Sequence, residues 1–149
     1  MPAPEPPVVR PIAAADTYDL RHRVLWPEKP LDYVQLADDA IGQHFGAFRQ
    51  GQLLAVVSLF VQGEEARFRK FATEPARQRQ GLGSALLRHV LAEARRQGTR
   101  RLWCDARLDS APFYARFGLQ PEGAVFYKGP IPYVRMAVSL IIDTIIIDQ

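Results

Sequence analysis

Gln78-Arg79-Gln80-Gly81-Leu82-Gly83 places two glycines one residue apart, directly before an apolar-periodic run that starts at Ser84. Without a Cβ, the main chain at such glycines can approach a ligand closely. A helix from Ser84 to about Gln97 turns its unpaired N–H groups and the positive end of its dipole toward the same bend. That combination suits an anion, a phosphate or a pyrophosphate. Arg77 and Arg79 add positive charge beside it. Glycines at this spacing also occur in plain strand-to-helix turns, so the chemistry needs a second signal. The bend lacks the Gly-Lys-Ser/Thr ending of a P-loop and the third glycine of a dinucleotide fingerprint, which argues against nucleotide binding.

The elements that must hold this bend follow from patterning. Val8–Ile12 is β-like. Asp16 is placed to cap a helix through about Leu25, which Pro27 and Pro30 stop. Leu31–Ile41 reads as a loop with a helical turn. His44–Arg49, a Gln50-Gly51 hairpin signal, Leu53–Val61, a turn at Gln62-Gly63 and Arg67–Thr73 then read as a meander of antiparallel strands. After the bend, Leu82, Leu86 and Val90 recur at i, i+4 and i+8, one apolar face for packing on a sheet, and Gly98 ends the helix. Arg101–Asp105 is a strand, Ser110–Leu119 a short helix closing on Gly118, and Ala124–Tyr127 and Tyr133–Leu140 are two further strands. A strand, a crossover helix and a strand imply one parallel pair in an otherwise antiparallel sheet.

The second signal is the order of two motifs. Gln78-x-x-Gly81-x-Gly83 followed by Phe113-Tyr114-x-x-Phe117-Gly118-Leu119 resembles the GNAT superfamily of acyl-CoA-dependent N-acyltransferases. The resemblance runs from about Leu53 to Leu140. It implies an α/β (α+β) fold with a mixed, mainly antiparallel central sheet, a parallel pair splayed for CoA and about four flanking helices. It also implies an N-acetyltransferase that moves an acetyl group from acetyl-CoA to a primary amine by direct attack in a ternary complex. The alternative on the same scaffold is a non-catalytic acyl-CoA-binding sensor or interaction module.

Carried over residue by residue, the resemblance implies that main-chain amides of Arg79, Gln80, Gly81, Leu82 and Gly83, with Gln78 and Ser84, hold the pyrophosphate. Phe71 and Thr73 offer main-chain groups to the pantetheine arm, and the N–H of Phe71 or Ala72 is the oxyanion donor. Tyr114 is the expected general acid: a phenol, with a reference pKa near 10, keeps its proton at neutral pH and can hydrogen-bond a developing thiolate. The same ring could equally be a core aromatic beside Phe113 and Phe117. The base stays open. Family members often carry a glutamate in the strand before the bend, and Arg67–Thr73 contains no acid, so Glu74 and His44 are the candidates, through a water relay. Where the family commonly has an asparagine on the cofactor arm, seven residues before the tyrosine, this chain has Arg107, which can reach CoA or an acidic substrate.

Composition narrows the rest. At 149 residues, with 48% hydrophobic and 23% charged residues, the chain is expected to be one soluble domain over 1–149, with a flexible leader at 1–7 and an apolar tail at 141–149. The single cysteine, Cys104, reads as an inert buried thiol, excludes an internal disulfide and a cysteine-rich zinc site, and fits a reducing cytoplasm. No metal is expected. The leader has no signal-peptide pattern, and the apolar tail is too short and too polar to span a bilayer. Net charge is +3, with sixteen of nineteen basic residues arginine, scattered rather than gathered into a stripe, which argues against nucleic acid. Asp32, Asp38 and Asp39 are loop acids that either meet a cationic amine or are simply hydrated, and Trp26, Phe126, Tyr127 and Tyr133 either wall its pocket or pack. The tail is expected to be covered, either by its own sheet or by a second subunit in a homodimer.

Overall fold

Alternation and turn chemistry build most of the molecule. In a computed structural model that describes residues 5–141, seven strands form one sheet in the order β1-β2-β3-β4-β5-β7-β6. They are β1 (Val8–Ile12), β2 (Gln43–Arg49), β3 (Gln52–Gln62), β4 (Glu65–Thr73), β5 (Arg101–Arg107), β6 (Gln120–Lys128) and β7 (Ile131–Ser139). The hairpin at Gln50-Gly51 has both residues in the left-handed region, at φ 52° and 77°, the conformation a two-residue turn needs to match strand twist. β4 and β5 make the parallel pair, with register Glu65↔Arg101, Ala66↔Leu102 and Arg67↔Trp103. The β5–β7 and β6–β7 pairs are antiparallel.

The chain resolves into two compact units. The first comprises the residues up to Phe60 together with Phe68–Leu91; the second comprises Val61–Arg67 and the residues from Ala92 onward. In the first, Leu20, Val56 and Ala72 are buried and Ile12, Val24, Leu25 and Leu53 pack against them. In the second, β5 alternates cleanly: Leu102, Cys104 and Ala106 are buried while Arg101, Trp103, Asp105 and Arg107 are half-buried on the opposite face.

Three α-helical segments are present among the described residues rather than about four: α1 (Tyr18–Leu20), α2 (Leu82–Arg96) and α3 (Ala111–Ala115). α1 is the middle of a continuous helical run that begins as a 3-10 turn at Ala14–Thr17 and ends as a π-helical stretch at Arg21–Leu25. Asp16 lies inside the first turn instead of capping it, and its carboxylate accepts the Ala13 N–H at 3.0 Å. Between Leu31 and Ile41 there are only two 3-10 turns. Leu31, Tyr33 and Ile41 are exposed there and Val34 alone of the large apolar residues is fully buried, too narrow an apolar face to pull a full helix onto the sheet. β6 starts earlier than its composition suggests because its register breaks between Glu122 and Phe126, around Gly123. Of the leader and the tail, residues 1–4 and 142–149 lie outside the described residues.

Candidate functional site

The bend after β4 is built in four steps. Glu74 N–H donates to Leu54 O at 2.7 Å, a 3-10 turn covers Pro75–Arg77, and Gln78 is extended. Arg79 and Gly81 then both enter the left-handed region, at φ 65° and 85°. α2 begins at Leu82, two residues before its expected start, and its first main-chain bond runs from Ala85 N–H to Gly81 O at 3.0 Å. The N–H groups ahead of that bond have no i−4 carbonyl to donate to. No acid occupies the first turn of α2, while Arg95 and Arg96 sit in its last, so no carboxylate of that turn offsets the positive pole at the bend. A Cβ built at Gly81 would meet nothing within 4 Å; the glycine serves its backbone angle and leaves the space in front of it open.

Two side-chain contacts that patterning passed over lie at this bend. Arg49 donates from Nη2 to Gln80 O at 2.6 Å and from Nη1 to Gln80 Oε1 at 3.3 Å. Arg23 makes a two-pronged bond to Glu74, at 3.1 and 2.7 Å. The hydrogen bonds from Arg23 hold the Glu74 carboxyl below the usual carboxylate range. Lys70, one residue before Phe71, has a positive φ of 57°. That irregularity inside β4 falls at the residues expected to present main-chain groups. Phe71 and Thr73 are half-buried and Ala72 is buried.

His44 belongs to a different network. Its Nε2 is 2.9 Å from Asp39 O, and its Nδ1 is 2.7 Å from Ser58 Oγ. A carbonyl only accepts, so Nε2 carries the proton. Ser58 Oγ already accepts from Arg21 Nη2 at 2.9 Å, so its own proton goes to Nδ1. Both ring nitrogens are therefore occupied, and the lone pair a base needs is in use. Arg21, fully buried, also reaches Asp39 through two bonds of 2.8 and 3.0 Å and Val34 O at 2.9 Å. Burial pushes the Asp39 carboxyl up, but the bonds from Arg21 and from Leu36 N–H outweigh it and leave the group below its ordinary value. Asp39 is thus unavailable to an incoming amine, and Asp38 sits 3.7 Å from Arg69.

The second unit holds the remaining two expected residues. Tyr114, on α3, is 8% exposed with its ring edge-on to Phe113 at 5.3 Å. Burial, then the neighbouring Cys104, raises its pKa, so the phenol stays protonated at neutral pH. Burial likewise raises Cys104, which leaves an inert thiol. Arg107 is the last residue of β5, opposite Tyr133. On the same face, Asp105 accepts from Arg67 at 3.1 Å and from Arg135 at 2.9 Å, and both guanidiniums lie over the Trp103 ring, at 4.5 and 3.9 Å. The i, i+2 spacing of Trp103, Asp105 and Arg107 was the only sequence signal for that cluster. Among the described residues, no group of three or more His, Cys, Asp or Glu is arranged to hold a metal, and no helix is long and apolar enough to cross a membrane.

The acetyltransferase (GNAT) family model matches residues 12–119. The chain is 31% identical over 127 residues to the uncharacterized N-acetyltransferase YitI of Bacillus subtilis, covering 79% of this chain and 85% of that protein. Among solved structures, the ribosomal-protein-S18-alanine N-acetyltransferase from Escherichia coli superposes with a TM-score of 0.75 at 21% identity, covering 91% of this chain and 94% of that one. An aminoglycoside 6'-N-acetyltransferase complexed with coenzyme A superposes with a TM-score of 0.74 at 15% identity, covering 90% and 97%. These two likenesses are of fold.

Proposed function

The chain belongs to the GNAT acetyltransferase family, and from that premise we propose that it transfers an acetyl group from acetyl-CoA to a primary amine by direct attack. The observation that carries the reading is the bend at Gln78–Ser84, where left-handed Arg79 and Gly81 open onto an uncompensated helix start. Main-chain amides from Arg79 to Gly83, with Gln78 and Ser84, hold the pyrophosphate. Phe71 and Thr73 pair with the pantetheine arm through their main chain, and Arg107 adds a cation for the cofactor or for an acidic acceptor. The amine nitrogen attacks the thioester carbon while the N–H of Phe71 or Ala72 faces the oxygen that gains charge. The carbon–sulfur bond breaks, and Tyr114 gives its hydroxyl proton to the leaving thiolate.

The proton lost by the amine leaves through water. Glu74 is a poor acceptor for it in its bonds to Arg23, as is His44 with both nitrogens in use. The same observation favours a second reading, an acyl-CoA-binding module without turnover. A CoA-release assay over polyamines, amino sugars, amino acids and peptides, run beside acetyl-CoA calorimetry, separates the two. Tyr114→Phe should lower kcat by roughly 10²-fold or more, the usual scale of a lost proton donor, with the acetyl-CoA Kd unchanged. Binding of acetyl-CoA with no product from any amine would leave only the second reading, and no heat on titrating acetyl-CoA would remove both.

A further inference from the structure

Between the π-helical stretch and β2, the segment 26–41 has a chemistry unlike the rest of the chain. It holds four acids and one lysine in a protein of net charge +3. Asp39 is neutralised by Arg21 and Asp38 faces Arg69 at 3.7 Å, which leaves Glu28 and Asp32 as its exposed acids. Among its large apolar groups, Leu31 is 51% exposed and Tyr33 47%, while Val34 is buried. The arrangement is ordered. His22 Nε2 is 2.7 Å from Lys29 O, Lys29 N–H donates to Trp26 O at 3.1 Å, and Tyr33 N–H donates to Pro30 O at 3.0 Å. Arg21, by gripping Val34 O and Asp39, fastens the far half of the segment.

Within it Trp26 meets the Tyr33 ring edge-on at 5.3 Å, and the Lys29 ammonium lies over the same ring at 5.2 Å. An ammonium within about 6 Å of an aromatic centroid is held by the ring quadrupole. The chain's own lysine therefore occupies a place that any primary ammonium would suit. Asp32, adjacent to Tyr33 in the same 3-10 turn, adds the charge sign that attracts a cation. Leu31, beside it, offers apolar surface to whatever the ammonium is attached to.

Resting on the acetyltransferase reading, we infer that Trp26 and Tyr33 form an ammonium subsite that selects acceptors carrying an apolar group beside a primary amine, with Lys29 as the resident competitor. The subsite receives the acceptor in its charged form, which is how most primary amines exist at neutral pH. The bound ammonium gives up one proton to water before its nitrogen attacks, and a second leaves as the amide forms; the neutral amide loses this attraction and departs. A free arylalkylamine and a peptide with a bulky apolar amino-terminal residue share the chemistry.

Two substitutions separate the subsite from a decorative surface pair because they move affinity in opposite directions. Lys29→Gln removes the competitor and should lower the KM for phenethylamine several-fold. Tyr33→Ala removes the ring and should raise it about fivefold, the upper range of an exposed cation–π contact. The KM for acetyl-CoA should stay the same in both. Phenethylamine against a Phe-initiated peptide tells a free amine from a chain terminus, and glutamate serves as the anionic comparison. Calorimetry of phenethylammonium with the parent and both variants gives the same ordering without turnover. Equal affinities in all three proteins, or glutamate accepted as well as phenethylamine, would overturn the inference while leaving acetyl transfer standing. An ordered calorimetric series with no CoA released from any amine would overturn the acetyl-transfer reading and leave the subsite standing.

Discussion

Each unit of this protein holds a cluster in which arginine meets aspartate, and the two clusters solve the same problem differently. In the first, Arg21 is fully buried and gives its N–H groups to Asp39, Val34 O and Ser58. In the second, Asp105 is 8% exposed, but its partners Arg67 and Arg135 stay 26% and 43% open to solvent and rest on the Trp103 ring. A wholly desolvated charge is tolerated only while every partner stays in place. A guanidinium on an indole face can fall back on water and on the ring when its carboxylate goes. The first cluster is therefore brittle and the second forgiving.

The largest effect that tests this contrast is Asp39→Ala. It strands the Arg21 charge, and the loss should be about 3–5 kcal/mol, as for other broken buried pairs. Urea unfolding would measure it. Adding Arg21→Met to that variant should recover part of the loss, because the orphaned charge goes with it. A double variant as unstable as the single would mean that the bonds to Val34 and Ser58, not the charge, carry the cluster. Acid sharpens the point. The Asp39 carboxyl lies below its ordinary value in the folded protein, so its contribution is complete above the unfolded value near 3.9 and drains away as pH falls through the folded one. Asp39→Asn should unfold at higher pH but with a flatter slope below about pH 4.

Asp105→Ala comes next. Arg67 and Arg135 lose a shared acceptor but keep solvent and the indole, and the expected cost is about 1.5–2 kcal/mol, the lower end of the range for hydrogen bonds to charged groups. A loss matching that of Asp39→Ala would erase the distinction between the clusters.

What could be read in advance follows the range of the interactions. The Gly81 bend, α2, the meander and the phenol on α3 rest on turn chemistry or on neighbours within two helical turns, and their residue types declare them. The Arg21 cluster joins positions 13 to 37 residues apart. In sequence Asp19-Leu20-Arg21-His22-Arg23 looks like a solvated helix face, with nothing to distinguish the buried arginine from its exposed neighbour Arg23. His44 reads as a candidate base from its residue type alone, and only the location of Ser58 and the Asp39 carbonyl shows both nitrogens in use. Read from sequence, β6 starts only at Ala124 because Pro121 and Gly123 weaken a strand signal, yet both are tolerated in the strand where its register breaks. Lys70 gave no sign of its left-handed backbone, since lysine has no preference for it.

The smallest expected effect belongs to a third pair that stands between the two clusters in exposure. Arg23 and Glu74 are joined by two bonds, yet their side chains are 44% and 27% exposed. Solvent screening holds such a pair to about 0.5–1 kcal/mol, so Glu74→Gln should barely move the urea midpoint. Its pH signature is still directional. The bonds from Arg23 hold Glu74 below its ordinary value, so the pair stabilises above the unfolded glutamate value near 4.3 and fades as pH falls through the folded one. Glu74→Gln should therefore match the parent more closely at pH 3 than at pH 7. Because Glu74 N–H is anchored to Leu54 independently of the side chain, the bend should keep its shape and its acetyl-CoA affinity in this variant. A tenfold loss of that affinity would mean that the Arg23 bond, rather than the main chain, sets the geometry of the bend.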